Sequence, residues 1–584
     1  MAAVERMQHL LYWILWAQRN NRIGGGMMAS GDSDHRVRSW TKDGGETLVL
    51  PYIRRRFCFG VLWLFVTAIA LLLIPLAAFA ATYYVDYSSG VDTNTGTTKS
   101  TPWKHHPYMQ TFTGTYTHAA GDIFIFKGGV TWQWTTGDRM FPLYVKAGGA
   151  SGNSDQYTVD TTWYNGSSWS LPIFDGGQQC GGSTTTLGAN GALIQDYFWT
   201  PSNVLINSLQ LQNIGNPSDC SGTAVMFQGG GSSIEIKNCV LNPNGLQAFG
   251  YDQPTSGGVS SAHVYIHNNQ ITNAGRGVIY GRLGSVLNDV EVYGNKWQGA
   301  GANSAFGGFH LDGLMIGCPV SCVSGGPATV TNIKFYDNYF YGLWPLSTAQ
   351  YFTSGWTQNT TIYNNVFAIE NTSCPSGACL SPGFISTYGY DSNFAIYNNT
   401  FSSDSVPGTG AGTGAIAFNN TSGTLIVEGN IFSGTAVDIA SINPSSYFSS
   451  IAIDYNLHNP SQTGLPGYPA GYWAVFGWSG IGNFACTSQS TCASHGVESH
   501  GVGSSTYSSS YPGFVAIPNG TTGSGNFRLQ AGSPAINAFP TAAAPTSIFN
   551  TDILGVSRPQ GSAWNMGAYE RTNIAPPGNL QVIP

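Results

Sequence analysis

VYIHNNQI (264–271) decides the fold, because it recurs along the chain. IEIKNCVL begins at 234, VEVYGNKW at 290 and IKFYDNYF at 333. TIYNNVF (361), FAIYNNTF (394), LIVEGNIF (425) and IAIDYNL (451) continue the series, and VLINSLQL (204) is a weaker, earlier copy. Each copy has two apolar residues one apart, a polar turn ending in Asn, and another apolar residue. The asparagines fall at 238, 269, 295, 338, 365, 399, 430 and 456, at irregular spacings of 26 to 43 residues. Period-two alternation marks a strand with one buried face. Strands this short cannot stand alone, and the repeat leaves no room for a crossover helix. Stacked coil on coil, they gain parallel neighbours ~4.8 Å away and bury their apolar residues in a continuous core. Asn at the bend tolerates left-handed backbone angles and can bond the next Asn along the stack. A β-sandwich gives no reason to repeat one turn motif so often.

Outside the repeats, charged residues are only 9% of the chain while Gly (76), Tyr (30), Phe (30) and Trp (16) abound, which excludes disorder and argues against helical bundles. Residues 57–80, FCFGVLWLFVTAIALLLIPLAAFA, follow Arg54, Arg55 and Arg56 and end in Ala78-Phe79-Ala80 before Ala81. Basic flank, apolar run and small-residue site match a secretory signal. The run is also long enough to span a bilayer, so an uncleaved signal anchor is the alternative. Either way the body is secreted or displayed at the cell surface, touching a membrane only through 57–80. Residues 1–53 read as a cytoplasmic tail or a mis-assigned gene start. Residues 81–584 carry 13 Lys+Arg against 24 Asp+Glu, a balance of −11, and this excludes a basic stripe for nucleic acid.

Three local cysteine pairs, Cys318/Cys322, Cys374/Cys379 and Cys486/Cys492, read as disulfides across surface loops in an exported protein. Cys180, Cys220 and Cys239 cannot all pair among themselves. No companion pair supplies the four ligands zinc needs.

The repeat resembles that of the pectin-lyase-like right-handed parallel β-helix superfamily. TYYVDYSSGVDTNTGTTKSTPWK (82–104) with GDIFIFKGGVTW (121–132) resembles the opening segment of exported bacterial members. NFRLQAGSPAIN (526–537) with TDILGVSRPQGSAWNMGAYE (551–570) resembles their closing segment. The resemblance covers about 80–570 and implies an all-β, single-stranded right-handed solenoid, monomeric, divided as follows. Residues 81–180 form an N-terminal cap and first coils, 181–460 the regular helix, 461–525 a loop excursion, 526–570 the closing segment and 571–584 a tail. It implies an activity on extracellular polysaccharide, as a lyase or glycoside hydrolase, with a non-catalytic adhesin or glycan-binding solenoid as the alternative. A fold does not choose between them.

Chemistry concentrates in the coils from 269 to 340. Arg276 and Arg282 flank GVIYG, and His310-Leu311-Asp312-Gly313 falls in the longest repeat spacing, where insertions commonly build binding sites. His310, Asp312, Arg276, Arg282 and Asp337 are the catalytic candidates, with Tyr280, Lys296 and Trp297 as substrate-binding residues. A His beside a carboxylate can act as acid and base. Strict alternation with Leu314 and Ile316 instead makes His310 and Asp312 an inward, hydrogen-bonded pair, unless Gly313 re-phases the strand as a bulge. Asp86, Asp92 and Asn94 could bind Ca²⁺, or could form a hydrogen-bonded cap. His105-His106 reads as a solvated loop, and Trp132, Trp134, Trp163 and Trp169 as sugar-stacking rings or cap residues. Asn550-Thr551-Asp552 spells a hydrolase motif without its companions.

Overall fold

The computed structural model describes residues 80–178, 180, 191–253, 261–298, 312–318, 327–341, 352–369, 383–387, 389–404, 414–419, 421–441, 447–461, 471–478, 482–504, 506–517 and 525–571. The expected signal at 57–80 therefore lies outside them but for Ala80, as do His310, Cys322 and Cys374/Cys379. Among the described residues no helix is long and apolar enough to cross a membrane.

One coil shows the plan. Ser261–His267 lies in a first sheet, Gln270–Ile271 in a second and Ala274–Tyr280 in a third, after which Leu287–Tyr293 returns to the first. Repetition builds three 12-stranded sheets, here called sheets 1, 2 and 3 in chain order, around one apolar interior. Pairing is parallel and in register, so Ile236, Ile266, Val292, Phe335, Ile362, Ile396 and Val427 form one inward column on sheet 1. All are buried. The chain is a parallel β-helix, as the repeat predicts. The exception is the last pair of sheet 3, Tyr472–Trp478 with Gly482–Cys486, which is antiparallel and ends the stack with a hairpin instead of an open parallel edge.

The asparagines do what the bend requires. Asn269 Nδ2 donates to Asn295 Oδ1, and the chain of bonds continues through Asn338, Asn365, Asn399, Asn430 and Asn456 at 2.9–3.0 Å. The preceding residue holds the left-handed turn, as at Asn268 (φ 55) and Asn364 (φ 55). In the coil at 234–241 the turn residue is Asn238 (φ 54), so the ladder position there is Cys239, and the expected rung at Asn238 is displaced by one. Cys239 is the buried free thiol; Cys180 pairs with Cys220, and Cys486 with Cys492 as expected. At the other end Asn456 donates to Glu498 Oε1 at 2.7 Å, so a carboxylate terminates the ladder. The stretch 461–525 contributes strands to the stack at Tyr472–Trp478 and Val502–Gly503, alongside a short helix, Gln489–Ala493.

The N-terminal cap is polar and tightly bonded. Both carboxylate oxygens of Asp86 are taken, by Ser88, Ser89 and Lys127, and both of Asp92 by His105 and the backbone of Lys104 and Thr113. These residues thus serve as cap acceptors. His105 and His106 are buried, contrary to the solvated loop expected: His105 bridges Asp92 and Asp138, and His106 packs edge-on to Phe124. Trp132, Trp134 and Trp163 are buried too and offer no open ring face.

Residues 526–570 lie over the corner between sheets 1 and 2. Phe539, Phe549, Trp564 and Met566 build a second core with Tyr363, Tyr397, Ile431 and Leu457. Arg558, fully buried, binds Glu570, Asn364 and backbone carbonyls. Asp552 accepts three backbone N–H bonds there, so it is a turn residue and not part of a hydrolase site.

Candidate functional site

Sheet 3 offers an outward surface that the closing segment does not take. Along Gly245–Asp252, Ala274–Tyr280 and Leu314–Gly317 the register aligns Gln247 with Arg276, Gly250 with Val278 and Met315, and Asp252 with Tyr280. Gln247, Arg276, Met315, Asp252 and Tyr280 are half-exposed while Phe249, Ile279, Leu314 and Ile316 are buried. Gly277 is needed here: a Cβ would lie 2.5 Å from Phe249 and 2.8 Å from Trp297, whose rings fill the interior beneath Arg276. Two residues connect sheet 2 to Gly245–Asp252 and to Ala274–Tyr280, but the interval before Leu314–Gly317 is residues 299–313.

The charges on this face are settled unevenly. Arg282 makes a two-point contact with Asp252, Nε to Oδ1 at 2.7 Å and Nη2 to Oδ2. Burial raises the Asp252 carboxyl above its usual range and Arg282 opposes the rise. Tyr280 OH contacts Met315 Sδ at 2.8 Å. Burial raises the Tyr280 phenol, Arg276 lowers it, Asp312 and Asp252 raise it again and Arg282 lowers it, so all four charged residues lie within its electrostatic reach. The Nε of Arg276 is buried without a hydrogen-bond partner. Among the described residues the half-exposed Arg276 guanidinium has no acid partner, and its outward end is the group on this sheet that an external acceptor can meet.

Of the residues singled out by sequence, Arg276, Tyr280, Arg282 and Asp312 come together. Asp312 is wholly buried, as strand parity with Leu314 and Ile316 implies. Three do not join them. Trp297 is fully buried, stacked on Phe340 at 5.3 Å, and cannot hold a substrate; period two counted outward from Lys296 puts it inside. Lys296 is exposed on sheet 2, its Nζ 5.3 Å over Tyr341. Asp337 holds a left-handed turn (φ 55) between sheets 1 and 2, beneath the closing segment. Burial pushes its carboxyl up to about 7, with Asn364 and Arg558 opposing and Asp552 adding to the rise. Sequence reasoning missed Asp252 and Gln247, whose only signal is register: each lies opposite a residue already chosen.

No protein-family model and no curated protein matches the chain. Among solved structures it is similar to a rhamnogalacturonan lyase (14% identity, TM-score 0.36, 77% of this chain and 97% of that one). It is similar also to the pectate lyase Pel9A (14%, 0.32, 85% and 98%). A third is the GH136 lacto-N-biosidase from Eubacterium ramulus (11%, 0.30, 63% and 71%). The fold assignment rests on the sheets themselves.

Proposed function

We propose that the outer face of sheet 3 around Arg276, Tyr280 and Arg282 binds and cleaves an extracellular polysaccharide, as a lyase or a glycoside hydrolase. The observation that carries this reading is the half-exposed Arg276 guanidinium, which no carboxylate among the described residues pairs, beside an arginine already satisfied by Asp252. A planar, two-oxygen group such as a uronate carboxylate complements a guanidinium. Its neutralisation would acidify the adjacent C–H, so that a base removes that proton, a carbon–carbon double bond forms and the glycosidic oxygen leaves. Hydrolysis would instead use two carboxylates flanking the bond; Asp252 is the half-exposed one on this face, Asp312 lies buried beneath it, and His310 is proposed as acid or base. The Cys180–Cys220 and Cys486–Cys492 disulfides support an oxidising, extracytoplasmic compartment.

The test is turnover of a panel of acidic and neutral polysaccharides by the purified protein. Ultraviolet absorbance of an unsaturated product marks a lyase; new reducing ends without it mark a hydrolase. Arg276→Ala should lower turnover ~10²-fold, the scale for losing a charge-stabilising donor. Full turnover in that variant would remove Arg276 from the site. Binding by the wild type with no product from any substrate would leave a glycan-binding solenoid.

A further inference from the structure

The strand Ala192–Gln195 of sheet 3 runs into Asp196-Tyr197-Phe198-Trp199-Thr200-Pro201, three consecutive aromatics in a turn. They are 56%, 59% and 43% exposed, where rings elsewhere in the molecule are largely buried in its cores. Their backbone is left-handed at Tyr197 (φ 43), Phe198 (φ 66) and Thr200 (φ 51). Bulky residues adopt that conformation only where surrounding structure imposes it, and such sites cluster at ligand contacts.

Here the surroundings do impose it. The buried Asp196 carboxylate accepts the N–H groups of Gln228 (2.7 Å), Gly229 (2.6 Å) and Phe198 (3.3 Å). The following coil supplies Gly229-Gly230-Gly231 as a seat: a Cβ at Gly229 would lie 2.5 Å from Thr200 N, and one at Gly231 1.6 Å from Pro201 O. Tyr144 on the outer face of sheet 3 props the rings edge-on, 6.0 Å from Tyr197 and 5.5 Å from Trp199, and Lys146 Nζ stands 5.4 Å over Trp199. A buried carboxylate and three glycines thus hold in place a turn whose apolar rings face water.

Its position assigns the occupant. Ala192–Gln195 pairs with Thr223–Phe227, that with Gly245–Asp252, and that with Ala274–Tyr280. The aromatics follow the end of their strand as Arg282 follows Tyr280, so both lie along one edge of sheet 3. Three coil steps separate them, about 14 Å at ~4.8 Å per step. A compact ligand cannot span that interval along the stack; a chain running parallel to the helix axis can. We infer that Tyr197, Phe198 and Trp199 form a distal subsite that stacks the pyranose rings of a polysaccharide strand running along this edge past Arg282, with Arg276 further back on the same face, in register with Ala192. The inference rests on the glycan-acting face proposed above and adds to it a remote site for the polymer. Tyr and Trp suit the role, since each joins an apolar ring face to a polar edge.

Affinity electrophoresis tests this with the full exported protein in gels holding polygalacturonate or xylan, an acidic and a neutral probe. Wild-type protein should be retarded by at least one of them. The Y197A/F198A/W199A triple variant should lose that retardation, its apparent affinity falling about tenfold or more for the lost ring contacts. Circular dichroism and thermal melting establish that it is folded, and Phe198→Gly, which relaxes the left-handed backbone, should lose part of the retardation while melting no lower than wild type. A triple variant retarded like wild type, or a wild type retarded by neither gel, overturns the subsite. Sedimentation giving a concentration-dependent dimer that the triple variant abolishes would overturn it in favour of an interface between copies. Retardation lost in the variant without turnover by the wild type would leave the subsite standing and remove the enzyme. Turnover by the wild type with unchanged retardation in the variant would do the reverse.

Discussion

The outer faces of sheets 1 and 3 come from the same coils, yet they settle their charges in opposite ways. On sheet 1, Glu291 binds Lys334 at 2.7 Å and Tyr336 at 2.9 Å, Glu235 binds Lys237 and His267, and Asp289 binds His263 and Tyr265. Rings on that face spend their surfaces on one another, His267, Tyr293, Tyr336 and Tyr363 stacking at 4.4–4.7 Å until Phe549 of the closing segment completes the column. Beyond that point the closing segment covers the sheet. Sheet 3 leaves an arginine donor unused and three rings in water. Charge alone therefore does not mark a site on a solenoid; sheet 1 is the more highly charged of the two. Sheet 1 too has an unpaired polar atom, His267 Nδ1, but on a ring stacked against Tyr293; what distinguishes sheet 3 is a half-exposed guanidinium without an acid partner and rings exposed to water.

That contrast can be broken most forcefully at Arg558. Arg558→Ala removes a buried guanidinium from Glu570, from the carbonyls of Thr551, Asn565 and Gly567 and from Asn364, and should cost about 3–5 kcal/mol in chemical denaturation. A variant as stable as wild type would show that the closing segment does not secure sheet 1. At Arg276 the order of effects should invert, with turnover lost and melting almost unchanged, because its Nε holds no partner to release.

Asp337 sharpens the comparison through pH. Its carboxyl is raised to about 7 when folded, chiefly by burial, against about 4 in the unfolded chain. Between those values the native state holds the proton more firmly, so this residue's contribution to stability falls as pH rises from about 4 to about 7 and is level beyond. Asp337→Asn should therefore melt like wild type at pH 4 and above it at pH 8. Equal melting at pH 8 would mean the carboxyl is not held protonated beneath the closing segment. The smallest effect belongs to Lys334→Ala. Its ammonium is half-exposed, so losing the pair with Glu291 should cost under ~1 kcal/mol and leave turnover intact. A large loss of turnover would move the active face to sheet 1.

Much of this was open to reading in the sequence, and the exceptions share a cause. The motif at 264–271 was enough to set strands, inward columns and asparagine ladder, because period-two alternation and left-handed Asn are local properties. The strand parity that buries Asp312 could likewise be counted from Leu314. Trp297 and His105 were misplaced because an aromatic or imidazole beside polar neighbours carries no local sign of whether a coil or a cap will close over it. Asp252 and the turn 197–199 were passed over because their significance lies between coils: in the register that sets Asp252 against Tyr280, and in the glycines at 229–231 that seat a turn from the coil before. By itself the sequence determined that this chain coils into a stacked parallel β-structure with an asparagine-lined bend. Only the tertiary structure decided which face is closed by its own residues and which is left open, since that depends on the closing segment folding back over sheet 1 across long stretches of chain that no local pattern spans.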